Sequence, residues 1–331
     1  ALVISIPLSF FGGIGGASAQ GILVKGGTDL EALAAARTVV FDKTGTLTQG
    51  RFSVTRVVGG DRVLELAALA EQYSTHPISR ALREGWTGDP ADHKVEDVQE
   101  LAGLGVSAKV AGLQVQVGNG KLMASLGLTV PEVAGTVVHV AADGSYLGWI
   151  LLADLPKEGA VDAIASLRQA GVSRTLMLTG DSEDSARAVA SAVGITEVYA
   201  GLLPQQKLEK LQAIRQEKGA AMFVGDGIND APVLAGADVG AAMGSGADAA
   251  IEAADVVFMT GSVEAIPDSV TIARDTARIA WQNVIFALAI KFLVMALGLA
   301  GHASMWMAVF ADSGVAMLCV LNSIRMLYRK K

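Results

Sequence analysis

Apolar positions gather at the two ends of the chain. The first 24 residues carry no charge, and Lys25 is the first charged residue. Residues 1–18 (ALVISIPLSFFGGIGGAS) are predominantly apolar and match the 17–25 residues that a membrane helix needs. Glycines at 12, 13, 15 and 16 suit close helix packing in lipid. Two further runs close the chain, 279–299 with Lys291 as its one charge and 303–324 with Asp312 as its one charge. Gly301-His302 between them leaves room only for a helical hairpin. Arg274, Arg278, Arg325, Arg329, Lys330 and Lys331 flank its outer ends, and its turn holds no Lys or Arg. The positive-inside rule then puts both outer ends, and the polar stretch 25–275, on the cytoplasmic side of a lipid bilayer. Lys291 and Asp312 lie eleven and ten residues from His302, so both fall ~15 Å from the turn, at matching depth. They predict either an ion pair that neutralises two costly charges or a cation path with Asp312 as ligand and Lys291 as counter-charge.

The middle of the chain shows a different period. Residues 36–41, 174–178 and 221–224 read as short buried strands, and 158–170, 182–193 and 204–217 read as helices. This alternation predicts an α/β fold with a doubly wound parallel sheet. Residues 52–150 interrupt it with helices at 62–71 and 77–85 and strands at 105–111, 113–117, 136–142 and 145–152. Asp143-Gly144 marks a hairpin turn between the last two strands. The expected organisation is a membrane helix at 1–18, a stalk and first catalytic segment at 19–51 and an inserted α+β domain at 52–150. A second catalytic segment follows at 151–265, and a stalk with the helix pair at 266–331.

Composition sharpens this picture. Hydrophobic residues make up 51% and charged residues 18%. With the 38 glycines counted and the 4 tyrosines set aside, the apolar share is roughly 61%, against about 45–50% in soluble domains. Such a chain is not disordered. A net charge of −7 argues against nucleic acid as a partner. One Cys excludes a disulfide framework or a thiolate zinc cluster within the chain.

All three strands end in polar clusters: Asp42-Lys43-Thr44-Gly45-Thr46-Leu47-Thr48, Thr179-Gly180-Asp181 and Gly225-Asp226-Gly227-Ile228-Asn229-Asp230. Ligands of such sheets bind at the carboxyl ends of strands, so one shared site is expected. Its residue types suit phosphoryl transfer. Asp42 is the candidate nucleophile, and Asp42 and Asp226 are carboxylates for Mg²⁺, which prefers oxygen ligands. Thr44, Thr179, Gly180 and Asn229 offer donors to phosphoryl oxygens. Lys207 offers a cation for transition-state charge. Gly103-Leu104-Gly105-Val106-Ser107-Ala108 matches a dinucleotide fingerprint in letters only. A poor candidate for a buried strand (96–100) precedes it and a strand-like pattern follows, so no nicotinamide site is expected there.

DKTGTLT, TGD and GDGIND in this order resemble the signature of the P-type ATPases, within the haloacid dehalogenase superfamily. The resemblance implies that ATP phosphorylates Asp42 and that Asp42, Thr44 (through its carbonyl) and Asp226 bind Mg²⁺. It also makes Lys43, Asp181 and Asp230 members of the catalytic motifs. Thr44 stands where soluble phosphatases of the superfamily place an acid/base Asp, which implies a slowly hydrolysed phosphoenzyme. Glu71, the His76-Pro77 pair, Gly103, Gly105 and Asn119 are similar to the ATP-binding positions of heavy-metal-transporting P-type ATPases. Lys291 and Asp312-Ser313-Gly314 resemble the zinc/cadmium/lead branch, so Zn²⁺ is the expected cargo, with Cd²⁺ and Pb²⁺ as alternatives and outward transport.

Residues 1–7 look like the stretch that follows the family's membrane Cys-Pro-Cys. Neither that motif nor the Thr-Gly-Glu of the family's actuator domain occurs in the chain. A fragment completed by an N-terminal half with that actuator domain is therefore expected. Two other readings are weighed beside it: a membrane-tethered haloacid dehalogenase-type phosphohydrolase without transport, and a copper pump. The first leaves Lys291 and Asp312 unexplained. The second fits poorly because a carboxylate suits a divalent ion better than Cu(I).

Overall fold

The computed structural model describes residues 2–133, 135–227, 230–244, 246–302 and 304–327. In chain order, α1 spans Leu2–Ser18, β1 Ile22–Val24, α2 Gly27–Ala35, β2 Thr38–Asp42, β3 Thr48–Val58, α3 Asp61–Ala70 and α4 Pro77–Gly85. Next come β4 Val95–Leu101, β5 Gly105–Val110, β6 Leu113–Gly118, α5 Gly120–Ser125, β7 Thr136–Ala142 and β8 Ser145–Pro156. They are followed by α6 Ala160–Gln169, β9 Arg174–Leu178, α7 Glu183–Val193, β10 Glu197–Tyr199, α8 Pro204–Lys218 and β11 Ala221–Gly225. The chain ends with α9 Ala231–Gly236, β12 Val239–Met243, α10 Asp248–Ala253, β13 Val256–Phe258, α11 Ala265–Leu299, α12 Met305–Val309 and α13 Val315–Ile324. Two compact units result. One comprises Ala1–Leu47, Lys157–Asp181 and Ala190–Lys331, and the other Thr48–Pro156 with Ser182–Val189.

The first unit holds a seven-stranded sheet in the order β1-β13-β12-β11-β2-β9-β10. Strands β2, β11 and β12 are buried at every position, as parallel strands covered on both faces must be. After β2 the chain builds β9 and β10 on one side, then crosses to build β11, β12 and β13 on the other. The winding therefore reverses at β2, where open α/β sheets place their ligand crevice. Among the described residues of this sheet, only β1, at the edge, pairs antiparallel.

The same unit carries the apolar helices. At ~1.5 Å per residue the 35-residue α11 is ~52 Å long, more than the ~30 Å of a bilayer core. Its outer half supplies a span, and Met305–Ile324 forms a second, 20 residues long. A wide turn with i→i+5 spacing, Phe310–Gly314, joins α12 to α13 and contains Asp312. The glycines of α1 serve close packing, because a Cβ at Gly12 would stand 3.0 Å from Ser323 O and one at Gly16 2.7 Å from Met326 O. A buried polar knot ties the three helices. Asn283 Nδ2 donates to Ser9 Oγ (3.2 Å), Ser323 Oγ (3.0 Å) and Cys319 O (3.2 Å), and Asn322 Nδ2 donates to Asn283 Oδ1 (2.9 Å). Polar side chains inside a membrane bundle need such partners. Cys319 packs with Ala287, Val315 and Ile290.

The second unit holds a six-stranded antiparallel sheet in the order β3-β8-β7-β6-β5-β4. Leu66, Leu69 and Leu82 of α3 and α4 pack on Val115, Val117, Ile150 and Leu152 of the sheet. Its strands start at Thr48 and end at Pro156, outside the expected 52–150. The difference arises because the mostly polar β3 pairs along its length with β8. The stretch 96–100 is a strand after all, within β4, but its inner positions are all exposed. Asp143 and Gly144 both adopt positive φ at the β7–β8 turn, the conformation that Asp-Gly favours there.

Phe223, fully buried in β11, tests the packing of the catalytic sheet. Phe223→Ala should cost ~3–5 kcal/mol in urea unfolding of the detergent-solubilised chain. A loss below ~1 kcal/mol would contradict a close-packed sheet at that position.

Candidate functional site

The carboxyl ends of β2, β9 and β11 meet, because β2 pairs in parallel with both neighbours and Asp42 lies opposite Leu178. Asp42 closes β2 and is 5% exposed. The next five residues, Lys43–Leu47, form a tight turn in which Gly45 takes φ +73°. A side chain at Gly45 is excluded twice over: by that φ and because its Cβ would stand 1.7 Å from Asp226 Oδ2. The glycine lets the Asp226 carboxylate approach the turn. Ala247 N donates to Asp226 O at 2.8 Å, and Gly246 leaves room for that carbonyl.

Carboxylate oxygens of Asp42, Asp226 and Asp230 lie within 4.8 Å of one another. Lys207 Nζ bridges two of them, donating to Asp42 Oδ1 at 2.5 Å and to Asp230 Oδ1 at 3.0 Å. Lys207 stands in the first turn of α8, where the helix dipole disfavours a cation, so the two carboxylates supply what holds it. Burial works against its charge, but Asp42 and Asp230 outweigh burial and raise its pKa. Burial, followed by Asp230, lifts the Asp42 carboxyl to about 7 against the pull of Lys207. Burial and Asp230 also raise Asp226, while Lys157 opposes them. Three close carboxylates, two of them pushed upward, form a donor set that fits a hard divalent cation.

Around this centre Lys43, buried, pairs with Asp181, and Thr44 Oγ1 lies 3.5 Å from the same carboxylate. Asp181 N donates to Thr179 Oγ1 at 3.1 Å. Thr179 is buried and Gly180 exposed. Asn229 lies outside the described residues. The structure therefore brings together Asp42, Lys43, Thr44, Thr179, Gly180, Asp181, Lys207, Asp226 and Asp230. The electrostatic influence of Lys157 on Asp226 was not legible in the sequence, because nothing in its local pattern signals it.

The second unit has its own cavity, about 260 Å³, lined by Glu71, His76, Gly103, Gly105 and Asn119 among others. Pro77 does not line it; it opens α4, whose N-cap is His76. The backbone amide of Ile78 donates to His76 Nδ1 at 3.2 Å. Ser79 Oγ donates to Glu71 Oε2 at 2.7 Å, and burial raises the Glu71 pKa while the serines lower it. Asn119 caps α5 through its Oδ1 and donates through Nδ2 to Gly103 O at 2.8 Å. Gly105 faces Gly118 across β5–β6, and a Cβ at Gly105 would fall 2.1 Å from Val117 O. Ser74, just before the His76-Pro77 pair, also lines the cavity, as do Ser79 and Gly118, which were not anticipated although Gly118 stands beside Asn119. A strand rather than a helix follows Gly103–Gly105, so no dinucleotide turn exists there.

In the apolar helices, Lys291 Nζ lies 3.4 Å from Asp312 Oδ1. The two residues thus meet across the hairpin at the matched depth that their spacing predicts.

The chain is similar to several known proteins. A haloacid dehalogenase-like hydrolase model matches residues 36–238. The chain is 51% identical to a zinc-transporting ATPase of Synechocystis sp. over 98% of its own length and 46% of that protein's. It is 49% identical to the cadmium, zinc and cobalt-transporting ATPase of Bacillus subtilis, over 100% of its own length and 49% of the relative's. A crystal structure of a zinc-transporting PIB-type ATPase superposes with a TM-score of 0.89 at 36% identity, covering 98% of this chain and 55% of that one. The chain spans about half the length of the curated relatives it matches.

The raised Asp42 pKa has a signed consequence for stability. A carboxyl whose folded pKa lies above its unfolded value loses stability as pH climbs through about 7. Asp42→Asn removes that charge, so its melting temperature should exceed that of the native chain at pH 8, and the gap should close as pH falls toward 4. Parallel melting curves at both pH values would refute the assignment.

Proposed function

We propose that this chain, which belongs to the haloacid dehalogenase-like hydrolases and has heavy-metal P-type ATPases as homologues over its whole length, forms the ATP-handling body and part of the ion path of a pump exporting a divalent heavy-metal cation. The observation that carries the reading is Asp42, a buried carboxylate at the winding reversal of the sheet, held by Lys207 beside Asp226 and Asp230. A carboxylate oxygen of Asp42 attacks the γ-phosphorus of ATP. The bond from that phosphorus to the β-bridging oxygen breaks, ADP leaves, and an acyl-phosphate remains on Asp42. Lys207 orients the nucleophile before attack and offers positive charge to the phosphoryl oxygens as they gather charge. Thr44, Thr179 and the Gly180 backbone supply hydrogen-bond donors at the same strand ends, and Asn229 belongs to the same motif. Asp42, Asp226 and the Thr44 carbonyl would hold Mg²⁺, which supplies charge neutralisation for the transfer.

Glu71, His76, Gly103, Gly105 and Asn119 share one cavity, and we assign adenine and ribose of ATP to it. The glycines give flat backbone for a base to approach, and Glu71 offers a carboxylate to an amine or hydroxyl. In the bilayer, Asp312 is the proposed ligand of the cation and Lys291 its counter-charge, which takes the carboxylate when the ion leaves. Zn²⁺ is the proposed cargo, with Cd²⁺ and Pb²⁺ as alternatives, because a carboxylate favours a divalent ion. An N-terminal half with the actuator domain is the proposed partner that completes the pump.

The phosphoenzyme is tested with γ-labelled ATP. Acid-stable, hydroxylamine-sensitive label should appear on the native chain and be absent from Asp42→Asn. Equal labelling of both would sink the assignment. The nucleotide cavity is tested separately: Glu71→Gln and His76→Ala should each weaken ATP binding about tenfold in calorimetry while leaving the melting temperature within a few degrees. Unchanged affinity in both would move the adenine elsewhere.

A further inference from the structure

Arg274 lies on α11, about 26 Å along the helix from Lys291 at ~1.5 Å per residue. Its guanidinium does a different job from the flanking basic residues that orient a membrane hairpin. Nε donates to Ala34 O at 3.3 Å, Nη2 to Ala36 O at 2.7 Å, and Nη1 to Ala170 O. These carbonyls belong to two helix ends. Ala34 and Ala36 stand at the C-terminus of α2, and Ala170 is the C-cap of α6. Helix C-termini carry unsatisfied carbonyls and partial negative charge, which a cation relieves. A planar fork with five N–H donors can serve both at once.

The space for this clasp is built in. Gly171 takes φ +92°, and a Cβ there would stand 2.6 Å from Arg274 Nη1. The two clasped ends are also the entries to the two strands that end at the reactive centre. Ala36 leads through Arg37 into β2, which ends at Asp42, and Ala170 leads into β9, which ends before Thr179. The strands are locked together at that edge, since Ser173 N donates to Arg37 O at 2.9 Å. Farther along the same helix, Asn283 is bound to α1 and α13, and Lys291 meets Asp312. One continuous helix therefore carries Lys291 of the proposed ion pair toward one end and grips the roots of the catalytic strands toward the other.

We infer that Arg274 is a positioning residue that couples the state of the Lys291–Asp312 pair to the Asp42 strand, by making α11 and the β2/β9 pair move as one body. This rests on the transport reading above. A helix displaced by an entering cation would pull Ala36 and Ala170 together, and through two short strands would shift Asp42 relative to Asp226. Without the fork the helix would slide past those carbonyls, and each site would work without sensing the other. Lys in its place keeps the charge but offers one ammonium point in place of a fork, so it should couple only in part.

The test uses the full-length protein in detergent and deuterium exchange read by mass spectrometry, with and without Zn²⁺. In the native protein Zn²⁺ should change uptake in segments 36–42 and 170–178 as well as in 283–291. In Arg274→Gln the change at 36–42 and 170–178 should fall at least threefold while the change at 283–291 persists, and Arg274→Lys should lie between. An unaltered response at 36–42 in both variants would overturn the inference, as would no Zn²⁺ response there in the native protein. Loss of the 283–291 response in the variants would also overturn it, by placing the effect on metal binding. Unfolding of both variants would reduce Arg274 to a stability residue. The readout needs no phosphorylation, so failure of Asp42 labelling in the native protein would count against the phosphoenzyme reading alone.

Discussion

The structure turns on a charge problem. Asp42, Asp226 and Asp230 present oxygens within 4.8 Å of one another, and Lys207 bridges only two of them. Burial drives the carboxyls of Asp42 and Asp226 upward, and the nearby charge of Asp230 adds to it. The fold sustains the arrangement by over-determining it. Parallel pairing of β2 with β11 fixes two of the acids on adjacent strand ends. Gly45, Gly246 and Gly225 remove the side chains that would push them apart. Lys207 is placed in a helix turn that would repel it if the carboxylates were absent. The centre is a crowded set of carboxylates held in place by a rigid sheet.

Much of this was legible because buried parallel strands leave a plain mark. ARTVVF, RTLML and AMFV are short apolar runs bounded by polar clusters, and the clusters are the reactive ends. The helices between them follow from the 3.6-residue period. Motif order carried the rest, since the roles of Glu71, His76 and Asn119 came from resemblance, and the cavity then brought them to one place.

What stayed illegible has physical causes. Strand β3 is polar along most of its length and earns its strand state from pairing with β8, a partner about a hundred residues away. Strand β4 lies at a sheet edge with its inner positions exposed, so no apolar alternation marks it. Nothing in the sequence singles out Asn283, and Arg274 reads as a flanking basic residue. Their work depends on carbonyls and hydroxyls contributed by segments tens to hundreds of residues distant, and local patterns are blind to such partners.

The ends of the inserted segment Thr48–Pro156 carry one more consequence. Thr48 and Pro156 are register partners on neighbouring antiparallel strands, so more than a hundred residues enter and leave through a doorway one strand spacing wide, ~5 Å. Immediately outside it, Lys157 N donates to Leu47 O at 2.8 Å, which closes the seam. A chain so arranged is modular. The inserted body can lengthen, shorten or exchange its loops over evolutionary time while the path from Asp42 to Thr179 keeps its register.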